Sequence, residues 1–467
     1  MSDEERPNIV LVVMDTARAR NFSCYGYEKK TSPFLDDLAE ENIRYSHTVS
    51  QANWTFPSHV SMFTGDYTKD HGMEQPDSVE GKEMFVNKLS EKGYRTIGIS
   101  NNVFVTEDYG YDQIFDSIEH NERHDLYSGW DVTADYLADT YGEGMNKYLG
   151  FLKESAKRNK LTKIFDGASF LARDKLFLRS GAKSTNRKAI QEVQNSEDPF
   201  FLFLNYTEPH ADYKPPVPYT HLFQEDKFIL RRLIDVSNME LKYYLKSDNE
   251  PESGVMRISE DLYNGEIRYL DSKLRSLYNN ILGKHPNTVF IFTSDHGEYF
   301  YEHELVGHVA GLHKEVTHVP MIEVMPNNVS EEVEGVTELR DLNKHILELS
   351  EGVFEPISSK EVAYSEFYGS TREFLNNFIS DSDDVEKYSR YCVSATTDDH
   401  KLIWYEDGEK NLYSLPEQEI VENKSVEEEL SEKIKEEFGD PELKDHGQTE
   451  IGADEEVKDK LRDLGYI

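Results

Sequence analysis

Four apolar runs of strand length, each ending in polar or charged residues, constrain this chain more than anything else in it. They are "NIVLVVMD" (residues 8–15), "YRTIGISNN" (94–102), "FFLFLNYTEPH" (200–210) and "TVFIFTSDHGE" (288–298). A strand with one wet face alternates apolar and polar residues, whereas a near-continuous apolar run suits a strand covered on both faces, as in a parallel sheet. Helical patterns such as "TSPFLDDLAEENIRY" and "VNKLSEKGY" lie between the runs, the second reaching Gly93 as a C-terminal stop. Strands alternating with helices predict a doubly wound, mostly parallel α/β sheet flanked by helices. Ligands of such sheets sit beyond the carboxyl ends of the strands. The residues to follow are therefore Asp15 and Thr16, Asn101 and Asn102, Glu208 and His210, and Asp295 and His296.

A single core stops growing at roughly 250 to 300 residues, so a chain of 467 residues has room for one large domain and a smaller one. We place the large domain at residues 1–354, with a helical insertion at 118–197. The remainder, 355–467, is a small α+β subdomain in which "YCVSATTDDHKLIWYEDGEKNLYSL" forms antiparallel strands, closed by an acidic helical tail at 425–463. Cys24 and Cys392 are too few and too far apart for a disulfide framework or a thiolate metal site. The N-terminus is acidic, and its apolar run breaks at Asp15, which argues against a signal peptide or a membrane span.

The balance of 51 Lys and Arg against 90 Asp and Glu, net −39, repels nucleic acid and anionic membranes. It suits a soluble protein of a high-salt cytoplasm, as in halophilic archaea, where screening is strong. Residues 151–190 run the other way, with eleven Lys or Arg and three Asp or Glu. Such a stretch either pairs with acids elsewhere on the chain or forms a basic rim that steers an anionic substrate.

A hard or borderline divalent cation takes carboxylate oxygens, sometimes with an imidazole, held at rigid strand ends. Asp15, Asp295 and His296 meet that need, and Gly297 lets the chain turn straight after them. Histidines at 303, 308, 313 and 318 are spaced by five, which turns successive side chains by about 140° on a helix, so they cannot form one ligand stripe. His308, close behind the metal-capable pair, is the one expected to reach the site. His210, in a loop stiffened by prolines, is the candidate acid or anion stabiliser. Thr55 in "NWTFPSHVSMFTG" reads first as a helix cap.

Taken in order, "NIVLVVMD", "TFPSHVSMFTG", "NYTEPHADYKPP", "SDHGE", "HVPMI", "HKLIWYEDGEKNLYSL" and "DLGYI" resemble the sulfatase family of the alkaline phosphatase superfamily over nearly the whole chain except the middle insertion. The resemblance implies an alkaline-phosphatase-like fold, a metal-dependent ester hydrolase and an anionic small-molecule or glycan ester as substrate. In that family a Cys or Ser in a C/S-x-P-S-R motif becomes formylglycine. Here the motif is Thr55-Phe56-Pro57-Ser58-His59. Threonine cannot form that aldehyde because its β-carbon carries a methyl, and His59 stands where the arginine would be. Thr16 replaces an acid of the family's leading pair, and His296 replaces the Asn after the later Asp.

These departures lead to a metal held by Asp15, Asp295, His296 and Thr55, with Thr55 as nucleophile. The imidazole moves the preference toward Mn or Zn, with Ca or Mg as alternatives, and leaves a second metal open. His210 and His308 serve the non-bridging oxygens or the leaving group, and Asn101, Asn102 and His59 bind substrate. Asp295-His296 with His308 downstream also resembles the Thr-nucleophile phosphoethanolamine transferases, but no membrane span accompanies them. A threonine ester must be released by a second attack on the central atom, which favours phosphate mono- or diesters or phosphonate esters over sulfate esters. The alternatives are a sulfatase acting on glycan or aryl sulfates, a transferase, and a catalytically silent protein that binds anionic glycans.

Overall fold

The computed structural model describes residues 6–121, 181–223 and 253–443, with breaks at 198, 212, 221, 309, 371–374 and 376–381. The four apolar runs become strands β1 (Asn8–Met14), β3 (Arg95–Ser100), β5 (Phe200–Tyr206) and β6 (Thr288–Thr293). They are joined in one sheet by β2 (Ile43–Val49), β4 (Ser117–His120), β7 (Met321–Val324) and β8 (Glu331–Glu338). The order is β8-β2-β7-β6-β1-β5-β3-β4, with the short His318–Val319 strand paired to β2. Strands β6, β1, β5, β3 and β4 run parallel, while β7 lies antiparallel between β6 and β2.

The alternation of side chains explains the continuous apolar runs. Ile9, Leu11 and Val13 of β1 enter one core layer, and Val10, Val12 and Met14 enter the other. The first layer is covered by α2 (Thr55–Thr64), α3 (Phe85–Glu91) and α6 (Leu342–Ser350), through residues such as Phe63, Phe85 and Ile346. The second is covered by α1 (Pro33–Glu41), α4 (Gly181–Val193) and α5 (Ser253–Leu282). The start of α1 is capped from a distance: Asp271 on α5 accepts from the N–H groups of Phe34 and Leu35.

Two sequence boundaries shift. Ser117–His120 is a strand paired to β3, and Gly181–Val193 packs on the sheet through Ala182, Ala189 and Val193, so both ends of the 118–197 segment belong to the main fold. The helical pattern read as far as Tyr45 stops at Glu41, and Ile43 opens β2. Residues 122–180, which hold most of the basic stretch, lie outside the described residues, as does the chain beyond 443 with "DLGYI".

The C-terminal part holds a four-stranded antiparallel sheet of β9 (Ala363–Phe367), β10 (Cys392–Thr396), β11 (His400–Tyr405) and β12 (Lys410–Ser414). Helix α7 (Lys424–Phe438) covers it with Leu430, Ile434 and Phe438 packed around Trp404 and Tyr364. The sheet is fastened to the main domain by Ser365 Oγ donating to the Ser50 carbonyl at 2.6 Å and Gln51 Nε2 donating to the Tyr364 carbonyl at 3.3 Å. Among the described residues no helix is long and apolar enough to cross a membrane.

Phe203 sits in the first layer against Phe63 and Phe115 with ring centroids 5.2 and 5.9 Å away. Phe203→Ala is expected to cost about 3–5 kcal/mol in denaturant unfolding, whereas Ile420→Ser, at a residue 68% exposed, is expected to stay within about 0.5 kcal/mol.

Candidate active site

Parallel register delivers the site. Val13 pairs with Thr293, Met14 with Tyr206, and Ser100 with Asn205, so the residues after β1, β6, β5 and β3 emerge at one edge of the sheet. The loops after β1 and β6 are laced together there. Thr16 N–H donates to Asp295 Oδ1 at 3.2 Å, Ala17 N–H to Ser294 Oγ at 2.9 Å, and Ser294 Oγ to the His296 carbonyl at 2.7 Å. Thr16 is held at φ 57°, a region that a β-branched residue enters only under strain. Gly297 answers a different need from the turn expected of it. A Cβ there would lie 2.0 Å from the Glu315 carbonyl oxygen, so close backbone approach is what excludes a side chain.

Asp15, Asp295 and His296 are fully buried, and one ligand atom from each lies within 4.8 Å of the others. Each carboxylate spends one oxygen on the protein. Asp15 Oδ2 accepts from Asn102 Nδ2 at 2.7 Å, and Asp295 Oδ1 accepts from the N–H groups of Thr16 and His296. The remaining oxygens, Asp15 Oδ1 and Asp295 Oδ2, have no hydrogen-bond partner among the described residues and stand 3.7 and 3.5 Å from His296 Nε2. His296 Nδ1 donates to the Gly297 carbonyl at 3.0 Å, which leaves the Nε2 lone pair facing the carboxylates. Burial pushes its pKa down to about 3, so the ring is neutral, while burial and Asp295 together raise that of Asp15. Two orphan carboxylate oxygens and one imidazole lone pair converging in a dry site fit a divalent cation.

Thr55 stands beside this cluster. Its Oγ1 is 3.3 Å from His296 Nε2 and accepts from Asn102 Nδ2 at 3.3 Å. It is the first residue of α2 and not its cap. Trp54 occupies the cap position without a side-chain hydrogen bond, so Thr55 lies where the helix presents unpaired N–H groups. The rest of the motif is built into the floor. Ser58 Oγ and Ser50 Oγ donate to the Asp295 carbonyl at 2.7 and 2.5 Å. His59 was expected to bind substrate, but it is fully buried. Its Nδ1 lies 2.9 Å from the Thr55 carbonyl and 3.6 Å from Asp295 Oδ2, and its Nε2 meets Asn205 Nδ2 at 2.9 Å. It supports Thr55 and Asp295 from beneath.

Asn101 is likewise turned inward. It donates to the Asn121 carbonyl at 3.0 Å and accepts from Thr185 Oγ1 at 2.7 Å, which anchors α4 and not a ligand. Asn102 is the member of the pair that reaches Thr55.

Of the later histidines, His308 comes to the site, with its ring 4.6 Å from that of His296 and 5.3 Å from that of His210. His210 Nδ1 bonds the Ala211 carbonyl at 2.5 Å. Sequence reasoning missed Glu298, whose Oε1 lies 3.2 Å from His308 Nδ1. Burial disfavours charge on both, yet their pairing outweighs it: His308 is raised from the ordinary histidine value and Glu298 lowered from that of a carboxylate. His303 and His313 instead stack on each other at 3.7 Å, and His318 packs on His47 at 4.3 Å.

A family model described as Sulfatase matches residues 7–353. The chain is 24% identical over 361 residues to "Uncharacterized sulfatase YidJ" of Escherichia coli (strain K12), covering 74% of this chain and 68% of that one. It is 24% identical over 440 residues to the arylsulfatase of Clostridium perfringens, covering 88% of each. Among solved structures, one in complex with its substrate D-glucosamine-2-N,6-O-disulfate aligns with TM-score 0.64 at 16% identity, over 95% of this chain and 100% of that one. The phosphonate monoester hydrolase of Agrobacterium radiobacter aligns with TM-score 0.62 at 16% identity, over 92% and 95%. The chain belongs to the sulfatase family, whose members are hydrolases acting on ester bonds.

Removing a divalent cation with a chelator is expected to lower the melting temperature, since a cation held at 100 times its Kd stabilises by about 2.7 kcal/mol. Asp295→Ala is expected to show little metal by elemental analysis and to melt at the same temperature with or without chelator.

Proposed function

Starting from membership of the sulfatase family, we propose that this chain hydrolyses oxyanion esters, sulfate esters first, with Thr55 as nucleophile. The observation that carries this is the Thr55 hydroxyl at the start of α2, 3.3 Å from His296 Nε2 and from Asn102 Nδ2, next to the orphan oxygens of Asp15 and Asp295. Asp15, Asp295 and His296 would hold the cation, with Thr55 at its edge. One imidazole among the ligands favours Mn or Zn. Such an ion supplies Lewis-acid polarisation of the ester and lowers the pKa of a nearby hydroxyl.

The residues divide the remaining work. His59 and Asn102 fix the backbone and hydroxyl of Thr55, and the unpaired N–H groups of the first turn of α2 favour an anion in front of it. Thr55 gives up its proton to solvent, and attack forms a bond from its Oγ to the central atom as the bond to the ester oxygen breaks. That oxygen takes a proton from His308, whose hold on it Glu298 strengthens, or from His210. Water then attacks the same atom and the bond to Thr55 Oγ breaks; one of its protons restores the Thr55 hydroxyl and the other returns to the histidine that served the leaving group.

Sulfate leads because the relatives are named as sulfatases and a structural neighbour holds a sulfated sugar. This reverses the preference drawn from the threonine alone. The second reading, a phosphonate or phosphate ester, keeps support from that same Thr55, which cannot become an aldehyde, and from the phosphonate monoester hydrolases of similar fold. We place the substrate among anionic glycans or small molecules, and the protein in a cytoplasm of high ionic strength that its charge of −39 suits.

Mass spectrometry after brief incubation with a chromogenic sulfate ester, phosphonate monoester or phosphodiester is expected to find an oxyanion adduct on Thr55 and nowhere else. Thr55→Ala is expected to lose at least about 1,000-fold in kcat with metal content retained. Turnover of none of the three esters by metal-loaded protein, or an adduct on another residue, would overturn the reading.

A further inference from the structure

Arg18 is buried, with its side chain 1% exposed, three residues beyond Asp15. Its Nε donates to Asn21 Oδ1 at 2.5 Å, Nη1 to the Glu298 carbonyl at 3.0 Å and to Glu302 Oε1 at 2.9 Å, and Nη2 to Glu260 Oε1 at 3.0 Å. The guanidinium also lies over the ring of Phe300, 4.7 Å from its centroid. One planar cation thus ties the loop after β1 to α5 and to a small hairpin, in which Tyr299 pairs with Gly307 and Phe300 with Val306. A lysine has no such fork of donors.

The hairpin's register matters to the site. With Tyr299 opposite Gly307, the next residues outward are Glu298 and His308, and these are the two that meet at 3.2 Å. The turn at the other end is strained, since Tyr301, His303 and Glu304 all have positive φ, at 81°, 57° and 61°. A turn of this kind keeps its shape only when contacts from outside over-determine it. Arg18 grips it at both ends, through the Glu298 carbonyl and the Glu302 carboxylate. The metal-capable residues have separate supports in Asn102, Thr16, Ser50 and Ser58.

We infer that Arg18 is a positioning residue which sets the hairpin, and through Glu298 the place of His308 beside His296, without helping to hold the metal. The role of His308 rests on the hydrolase reading above. A displacement of about 1 Å at a reacting group can cost about 100-fold. Arg18→Lys is therefore expected to lower kcat by about that factor while KM moves less than about threefold and metal content by elemental analysis is unchanged. Glu302→Gln, a milder cut in the same clamp, is expected to give a smaller fall of the same kind. Arg20→Ala, which removes an exposed arginine from the same Glu302, is expected to leave kcat as it was.

A second measurement does not depend on turnover. The downfield imidazole N–H resonance of His308, identified by its loss in His308→Gln, is expected to persist in Thr55→Ala and to shift or broaden in Arg18→Lys and Glu302→Gln. If wild type turns over no ester, the hydrolase reading fails while this resonance still tests the clamp. An unchanged His308 resonance in folded Arg18→Lys or Glu302→Gln would overturn the inference. So would a fall in metal content matching the fall in kcat.

Discussion

Two carboxylates are buried side by side at the centre of this molecule. Unit charges about 4 Å apart repel by about 4 kcal/mol at an effective dielectric of 20, and Asp15 and Asp295 each leave one oxygen without a hydrogen-bond partner. Among the described residues no lysine or arginine forms a salt bridge with either. Neutral groups close in instead: the amide of Asn102, backbone N–H groups, and the imidazole of His296, kept uncharged by burial. That arrangement is unfavourable until a cation arrives, so the parallel sheet, the lacing of its strand ends and the buried helix α2 serve to hold a site open to one.

Placement of the remaining charges follows from the same constraint. The buried cations near the site are each paired with glutamates, and His308 also feels both aspartates. Arg18 is shared by Glu260 and Glu302, and His308 is bound to Glu298. His59, in the position of the family's arginine, brings a ring that bonds a backbone carbonyl and an asparagine and so serves as scaffold. Among the described residues, Arg18 and His308 are already engaged by glutamates, so in the function proposed above recognition of an oxyanion would fall to a bound ion and to the N-terminal end of α2.

Much of this was legible in the sequence because the central strands are buried on both faces and end at the chemistry. Strands β2 and β8 were not, since "IRYSHTV" and "EEVEGVTE" mix polar and apolar residues toward the edge of the sheet, where burial is partial. Asp15, Asp295 and His296 could be named because each follows a strand. Asn101 and Asn102 could not be told apart, because which amide faces in depends on α4 and Thr185 arriving from far along the chain. Glu298 escaped for the same kind of reason: its pairing with His308 arises from a hairpin register that periodicity does not encode. Asn205 left a faint signal, as the one polar residue inside an otherwise apolar run and in contact with His59.

Thr16 shows how such a site shapes what substitutions the protein tolerates. Its strained backbone brings one N–H to Asp295 and its carbonyl to Tyr263, while its own hydroxyl finds no partner among the described residues. Glycine would relax that conformation, yet it would also give back freedom to a segment that helps to orient both aspartates. Position 16 is where selection for a sturdier molecule and selection for a sharper reaction centre pull in opposite directions.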